Sequence, residues 1–207
     1  MSTTHHVLSP AALDAPPELA LLTIRRPFTV DDYHRMAEVG LLTDDERTEL
    51  LNGEVVYKMP ISSRHAGCVK QLIEMLVTRL TGRCIVGAQD PVRLSGTSEP
   101  EPDVSVLRPR ADRYRRSHPE PADVLLVIEV ADSSLAVDRG VKAALYAAAG
   151  IPELWIVDLA GDAVEVHRTP AADGYRSVER LARGSELRPA AFPDVAIAVD
   201  DVLGAEA

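Results

Sequence analysis

The clearest hydrophobic pattern in the chain lies between residues 62 and 80. Apolar residues recur there every three or four positions, as at Val69, Leu72 and Leu76, and Gly82 follows the last of them. This spacing places the apolar side chains on one face of an α-helix, and glycine is common just past a helix end. The segment therefore predicts an amphipathic helix that ends before Gly82.

The residues before that helix predict a shorter helix followed by a β-hairpin. Thr29 and Asp32 resemble a capping box, in which two side chains satisfy free N–H groups at a helix start, and Gly40 is the expected end. Asn52-Gly53 lies between two runs that contain apolar residues. Both residues of a two-residue hairpin turn need positive φ, which Asn and Gly adopt readily, so we expect the turn here.

Apolar runs in the second half of the chain predict the strands of a sheet. Residues 123–130 are almost continuously apolar, which is typical of a strand buried on both faces. Residues 154–159 have the same character. Other strands are predicted over residues 84–94, 102–107 and 163–168, with edge strands and a final short helix over residues 175–202.

A further helix is predicted between the two most apolar strands. Ser133 or Ser134 is a suitable N-cap for it. Val141, Leu145 and Tyr146 have helical spacing, so we expect them to form its buried face.

The order of these elements indicates an α/β fold with a central mixed sheet flanked by helices. The chain has 207 residues, which suits one ordinary domain. We expect that domain over residues 27–207. Residues 1–26 show no sustained periodicity and are expected to form a disordered or extended leader.

Cysteine use and hydropathy indicate a cytoplasmic protein. Cys68 and Cys84 are too few for a four-thiolate zinc site and lack the spacing of a redox pair, so we expect two reduced thiols. No run of 18 apolar residues occurs, and the first 13 residues lack the pattern of a secretory signal. We therefore expect no membrane association.

Two acidic residues in or beside apolar strands are candidates for a metal site. Asp103 opens the strand predicted over residues 102–107, and Glu129 lies near the end of the most apolar strand. A buried carboxylate costs several kcal/mol unless it is paired, protonated or bound to a cation. Two carboxylates ~4 Å apart repel by about 4 kcal/mol at an effective dielectric constant of 20, and a Mg²⁺ or Mn²⁺ ion would offset that repulsion. The alternative is that Glu129 pairs with a buried arginine or lies at a solvated strand end.

Lys142 is a candidate to act with these carboxylates. It is one of three lysines among 22 basic residues, so lysine is the unusual choice in this chain. An ammonium group is a compact point charge that can orient water or neutralise a phosphate oxygen. Lys142 lies on the helix expected to pack against the strand end that carries Glu129. The alternative is a solvated lysine on the outer helix face.

Five short motifs in this order resemble the Uma-type endonucleases of bacteria, which belong to the PD-(D/E)XK nuclease superfamily. The motifs are Glu49-Leu-Leu-Asn-Gly-Glu54, Pro102-Asp103-Val104, Ile128-Glu129-Val130, Asp138-Arg139-Gly140-Val141-Lys142 with Tyr146, and the run from Ala149 to Asp158. The resemblance extends from about Phe28 to Leu203. It implies a restriction-endonuclease-like core and Mg²⁺-dependent (or Mn²⁺-dependent) cleavage of DNA.

The resemblance also implies roles for individual residues. Asp103 and Glu129 match the two acidic metal ligands, and the Val130 carbonyl would be a further oxygen donor. Glu49 matches an acidic residue that helps to hold metal-bound water. The usual lysine two residues after the second acid is replaced here by Ala131. Lys142 would take over its role and position the attacking hydroxide.

A basic segment is the candidate for contact with DNA. The overall charge of −10, from 22 basic and 32 acidic residues, argues against a protein coated in nucleic acid. Five arginines nevertheless occur within nine residues with a single aspartate, a local charge of 5 − 1 = +4: Arg108, Arg110, Arg113, Arg115 and Arg116. We expect this segment to project near one end of the site and contact phosphates beside the scissile bond. The alternatives are a solvated loop or a dimer contact.

His65 is a second candidate for contact with nucleic acid. It lies in the first turn of the long helix, where it could reach a phosphate or the edge of the site, or simply be solvated.

The sequence thus predicts a Mg²⁺-dependent endonuclease acting on DNA, with a homodimer expected if it cuts both strands. One alternative is a nuclease-fold module that binds nucleic acid but has lost turnover. The other is a structural protein in which Glu129 and Lys142 form a buried ion pair sealed from solvent.

Overall fold

The computed structural model describes residues 26–43 and 45–204. Apart from Arg26, the predicted leader over residues 1–26 lies outside the described residues. Helix α1 covers Val30–Glu38, the long helix α2 covers Ser63–Arg79, and a terminal helix α4 covers Val199–Leu203. Helix α3 is continuous but has three parts, Leu135–Val137, a π-helical segment Asp138–Lys142, and Ala143–Ala148. A 3₁₀ turn covers Pro121–Asp123.

Ten strands complete the described fold. They are β1 (Thr48–Leu51), β2 (Glu54–Tyr57), β3 (Ile85–Ala88), β4 (Val104–Leu107), β5 (Val124–Ala131), β6 (Glu153–Asp158), β7 (Ala163–Ala171), β8 (Gly174–Ala182), β9 (Glu186–Leu187) and β10 (Ile197–Ala198). The main sheet has the order β3-β4-β5-β6-β7-β8, while β1-β2 and β9-β10 form small separate pairs. The β5–β6 pair is parallel and the other pairs are antiparallel, which confirms the predicted α/β fold with a mixed sheet.

The two faces of the sheet bury two apolar clusters, and β5 contributes to both. Leu126, Ile128 and Val130 point to the face covered by α2 and α4. Val127 and Ala131 point to the opposite face, where α3 packs. Because successive side chains alternate between faces, Glu129 lies on the α3 side. The carboxylate of Glu129 is thereby directed at a helix rather than at solvent.

The predicted turns and caps near the start of the chain are confirmed. The Thr29 hydroxyl accepts from the Asp32 N–H, and the Asp32 carboxylate accepts from the Thr29 N–H, both at 3.0 Å. Asn52 and Gly53 adopt φ values of 50° and 79° in the turn between β1 and β2. The long helix begins after Ser62, whose hydroxyl accepts from a backbone N–H in the first turn.

The strand predicted over residues 84–94 is shorter than expected. It ends at Ala88 because Gln89 adopts a φ of 55° and Pro91 follows. A left-handed residue and a proline both interrupt a strand ladder. The following residues, 89–103, run as an irregular segment, so β4 begins at Val104 rather than at residue 102.

The predicted face of α3 is wrong in part. Neither predicted serine cap forms, since Ser134 stands at the N-cap position but makes no capping hydrogen bond. Val141 is 49% exposed, whereas Asp138 and Lys142 are buried. Asp138, Lys142 and Tyr146 are spaced four residues apart and so share one helix face, but the apolar pattern favours Val141 over its charged neighbour Lys142.

Both cysteines are free, and Cys68 is buried. Its thiol donates to the carbonyl of Val202 at 3.3 Å. Burial raises the pKa of Cys68 to about 12, so this thiol stays protonated at neutral pH. None of the helices in the described part of the chain combines the length and apolar character needed to cross a bilayer.

Candidate active site

Lys142 joins two of the predicted acidic residues. Its ammonium nitrogen lies 3.1 Å from Glu49 Oε2 and 3.2 Å from Glu129 Oε1. All three side chains are at most 7% exposed. The charged ends of residues from β1, β5 and α3 therefore meet at one buried point, although the first and the last are 93 positions apart in sequence (142 − 49).

The π-helical segment directs Lys142 to this point. Asp138 and Lys142 are its first and last residues, and both are buried on the side that faces β5. The Ser134 hydroxyl donates to Asp138 Oδ2 at 2.6 Å, which anchors the start of the segment. Such π-bulges are uncommon and often occur at functional sites.

The irregular segment before β4 holds Glu49 in place. The Glu99 N–H donates to the carbonyl of Leu50 at 2.8 Å, which attaches this segment to β1. The Glu101 N–H then donates to Glu49 Oε2 at 3.1 Å. The oxygen that contacts Lys142 is thus also fixed by a backbone N–H.

Asp103 is fixed by three hydrogen bonds at the start of β4. Its Oδ2 accepts from the Val130 N–H at 2.9 Å and lies 3.0 Å from His65 Nε2, while Oδ1 accepts from Gln89 at 3.3 Å. Burial alone would raise the pKa of Asp103, but these donors and the nearby imidazole outweigh it and hold the pKa below its ordinary value. Asp103 is therefore an ionised carboxylate at neutral pH.

The pKa of Glu129 is shifted in the opposite direction, upward. Besides Lys142 it accepts a hydrogen bond of 2.7 Å from the Tyr146 hydroxyl. Burial raises the pKa of Glu129 to about 8, and the carboxylates of Asp138, Asp103 and Glu49 add to the rise against the opposing effect of Lys142. The site therefore holds more carboxylate groups than its single ammonium group neutralises.

Lys142 stays charged in this environment. Burial alone would lower its pKa, but the carboxylates of Glu129, Glu49 and Asp138 outweigh burial and raise the pKa above its ordinary value. A permanent cation is suited to orient water or a phosphate oxygen, and it is not suited to act as a general base at neutral pH.

The donor atoms of Asp103, Glu129 and Val130 are of the chemical type that a hard divalent cation takes. Carboxylate oxygens and a backbone carbonyl are the ligands that Mg²⁺ and Mn²⁺ prefer. The excess of carboxylate groups over ammonium, which raises the pKa of Glu129, is the electrostatic imbalance that such a cation would relieve. Asp103, Glu129 and the carbonyl of Val130 remain the ligands predicted from the sequence.

Lys142 reaches Glu129 from the face of β5 that also carries Ala131, the residue at the usual lysine position. Ala131 lies two residues after Glu129 and on the same face of β5, where it packs in the cluster beneath α3. Lys142 approaches Glu129 from that same face. The ammonium group therefore comes from the helix on the side where a lysine at position 131 would lie.

The buried Glu129–Lys142 pair is also the feature expected of a structural protein. Both side chains are shielded from solvent, at 3% and 7% exposure. The additional contact of Lys142 with Glu49 and the hydrogen-bonded Asp103 nearby go beyond what a simple ion pair requires.

The arginine-rich segment begins at the other end of β4 from Asp103, and its contact with DNA phosphates stays a prediction. Antiparallel pairing sets Val104 beside Ile128 and places the connection to β5 after Leu107. Arg108 is thus five residues beyond Asp103, about 17 Å at ~3.4 Å per residue. Arg110 stacks 3.9 Å from the centre of the Tyr114 ring, while Arg108, Arg113, Arg115 and Arg116 are exposed.

Three groups contribute to the site that the sequence pattern does not assign to it. The pattern gives Asp138 no role, places Tyr146 only on the buried helix face, and predicts Gln89 inside a strand. Asp138 lies four residues before Lys142, a spacing that places both side chains on one helix face, so its position beside Lys142 could have been predicted. The Gln89 contact depends on the left-handed backbone at that residue, for which the sequence carries no signal.

Comparison with known proteins agrees with the fold. The crystal structure of a putative nuclease belonging to DUF820 from Anabaena variabilis superposes with a TM-score of 0.65 at 15% sequence identity, covering 86% of this chain and 98% of that chain. None of the curated proteins compared with the chain matches it. The family model Uma2, described as a putative restriction endonuclease, matches residues 30–200. That match covers most of the chain, which therefore belongs to the Uma2 family.

Proposed function

We propose that this chain is a metal-dependent endonuclease that hydrolyses phosphodiester bonds in DNA. The observation that carries the proposal is the contact of Lys142 with both Glu49 and Glu129 beside the hydrogen-bonded Asp103. Membership of the Uma2 family supports the nuclease class.

In this proposal Asp103, Glu129 and the Val130 carbonyl hold Mg²⁺ or Mn²⁺. When bound there, the ion supplies Lewis-acid chemistry, lowering the pKa of water and neutralising phosphate charge. Lys142 orients the attacking water with its ammonium group. Glu49 holds Lys142 in place, and its own oxygen is held by the Glu101 N–H. His65 fixes Asp103 through its contact with Oδ2.

His65 is then a positioning residue more than a phosphate ligand. Its Nε2 is engaged with Asp103, and its Nδ1 is buried without a hydrogen-bond partner among the described residues. This geometry supports a contact of His65 with the acidic site, and its contact with DNA stays a prediction.

A specific observation also favours the alternative of a nuclease-fold module without turnover. The Glu129–Lys142 pair is buried, and alanine occupies the usual lysine position at residue 131. Such a protein would bind DNA or a protein partner through the same surface and leave phosphodiester bonds intact.

The deciding experiment is cleavage of supercoiled plasmid in Mg²⁺ or Mn²⁺. We expect wild-type protein to nick or linearise the plasmid, and Asp103→Asn and Lys142→Met to lose at least about 100-fold in rate, the lower end of what a positioned catalytic group contributes. Lys70→Met is the matched control, because Lys70 is an exposed lysine on α2. Thermal unfolding of each variant verifies folding.

Two outcomes would contradict the proposal. Activity that survives both Asp103→Asn and Lys142→Met would show that the reaction takes place elsewhere. Folded wild-type protein that binds DNA but never cleaves it would favour the module without turnover.

The setting and assembly are part of the same proposal. We infer a cytoplasmic enzyme, which the two free cysteines support. We also infer a homodimer on DNA, since one site per chain cuts one strand at a time. Sedimentation with and without a short duplex tests the assembly, and a 1:1 complex that makes double-strand breaks would contradict it.

A further inference from the structure

A second group of potential metal ligands lies outside the carboxylate cluster formed by Glu49, Asp103 and Glu129. His34 from α1, Glu99 from the irregular segment before β4, and His118 from the connection between β4 and β5 each offer one ligand atom, and these atoms lie within 4.8 Å of one another. His34 Nε2 is 2.5 Å from Glu99 Oε1. The rings of His34 and His118 meet edge to face with their centres 6.2 Å apart.

The carboxylate of Glu99 is the central feature of this group. Its side chain is only 1% exposed. Oε1 contacts His34, but Oε2 is buried and accepts no hydrogen bond from any described residue. A buried carboxylate oxygen without a donor is costly, and native proteins rarely leave one unsatisfied. The carboxylate is thus incompletely satisfied at the point where two imidazoles converge.

Backbone hydrogen bonds hold the three segments together independently of these side chains. The Val30 N–H donates to Gly96 at 2.9 Å, which attaches the start of α1 to the irregular segment. The Arg93 N–H donates to Pro119 at 2.9 Å, which brings the residue after His118 to the same segment. The ligand atoms are therefore brought together by the fold, and the cost of ordering them on ion binding is small.

We propose that His34, Glu99 and His118 bind one divalent transition-metal ion of the zinc class. Two imidazole nitrogens and one carboxylate oxygen suit Zn²⁺, whereas Mg²⁺ prefers oxygen ligands alone. Three protein ligands leave a fourth position for water or another donor, and the exposed His118 lies on the solvent side.

The bound ion would connect α1 and the arginine-rich connection to the segment that fixes Glu49. Glu99 donates its N–H to the carbonyl of Leu50, the residue after Glu49. The inference does not depend on the proposed nuclease activity, because the two ion sites share no residue.

Zinc binding to the full-length chain, stripped with a chelator and studied in excess Mg²⁺, tests the proposal. We expect one Zn²⁺ per chain by titration calorimetry, and a Co²⁺ absorption spectrum typical of nitrogen ligation. His118→Asn and Glu99→Gln should each weaken Zn²⁺ binding at least 10-fold. Zn²⁺ should raise the melting temperature of the wild type and not that of His118→Asn.

Two controls separate this site from other ligands. Asp103→Asn removes a ligand of the carboxylate cluster and should bind Zn²⁺ like the wild type, as should a variant with His5 and His6 replaced by alanine. His118 is exposed, so His118→Asn should unfold at the wild-type temperature in chelator. Wild-type protein that takes up no Zn²⁺, or His118→Asn that binds it within threefold of the wild type, would overturn the proposal.

Discussion

At the scale of single residues, the Glu129 carboxyl group determines how the site responds to pH. Its folded pKa of about 8 lies above the ordinary glutamate value, so the folded chain keeps a proton that the unfolded chain loses. The contribution of this group to the free energy of unfolding therefore falls as pH rises between about 5 and 8. Lys142 adds no slope in this range, because its pKa is raised above its ordinary value.

Glu129→Gln should flatten that pH dependence. We expect the wild type to lose stability relative to this variant by up to about 1.4 kcal/mol per pH unit, the value for one proton. Urea unfolding in chelator at several pH values between 5 and 8 measures the difference. Glu74→Gln, an exposed substitution on α2, should run parallel to the wild type. Parallel curves for Glu129→Gln as well would show that Glu129 is ionised throughout.

The sequence predicted the residues of the site better than their contacts. Asp103, Glu129 and Lys142 could be found because a charge in or beside an apolar strand, and a rare lysine, need a physical explanation. The donors to Asp103 could not be found, since the Val130 N–H and Gln89 reach it only through strand register and a left-handed backbone. His34, Glu99 and His118 are far apart in sequence and carry no shared pattern.

At the scale of elements, the apolar pattern predicted the buried face of α2 and misplaced part of that of α3. The long helix is a uniform α-helix, so its apolar spacing gives the buried face directly. In α3 the π-helical segment buries Asp138 and Lys142 and exposes Val141. That segment is stabilised by tertiary contacts with Glu49 and Glu129, which no local pattern contains.

Two glycine substitutions should have opposite effects on these elements. Gly140 lies in the π-helical segment, and a Cβ there would meet nothing within 4 Å. Gly140→Ala should raise the free energy of unfolding by about 0.5–1 kcal/mol, because alanine loses less backbone entropy on folding. Gly53 has a φ of 79°, and a Cβ there would overlap Pro27. Gly53→Ala should cost at least about 1–2 kcal/mol.

Chemical denaturation of both variants measures the two changes in the free energy of unfolding. The dependence of that free energy on denaturant concentration is compared with the wild type. The result for Gly53→Ala verifies that the assay detects backbone strain. A Gly140→Ala variant less stable than the wild type would show that the π-helical segment needs glycine for its conformation and not merely tolerates it.

At the scale of the whole molecule, charge is distributed unevenly around a strongly acidic chain. The formal charge is −10, while the nine residues from Arg108 to Arg116 carry +4, leaving −14 elsewhere. Because this segment begins at the far end of β4 from Asp103, we expect it to contact DNA away from the scissile phosphate. Its expected role is to bind the duplex at a distance from the reacting bond. Such contacts affect DNA binding rather than the chemical step.

Replacing Arg113, Arg115 and Arg116 by alanine tests this role. Binding of a short duplex, measured on an Asp103→Asn background, should weaken, and the salt slope should fall by up to about 2.7, since each phosphate that is no longer neutralised by an arginine lowers the slope by ~0.9. In the otherwise wild-type enzyme, KM should rise with kcat nearly unchanged. Replacing Arg83, Arg176 and Arg188, exposed arginines that form ion pairs elsewhere, is the matched control. Both triple variants change the formal charge from −10 to −13, since each removes three positive charges. Equal weakening by both would mean that DNA senses only the total charge, and a loss of kcat confined to the first would mean that this segment reaches the reacting bond after all.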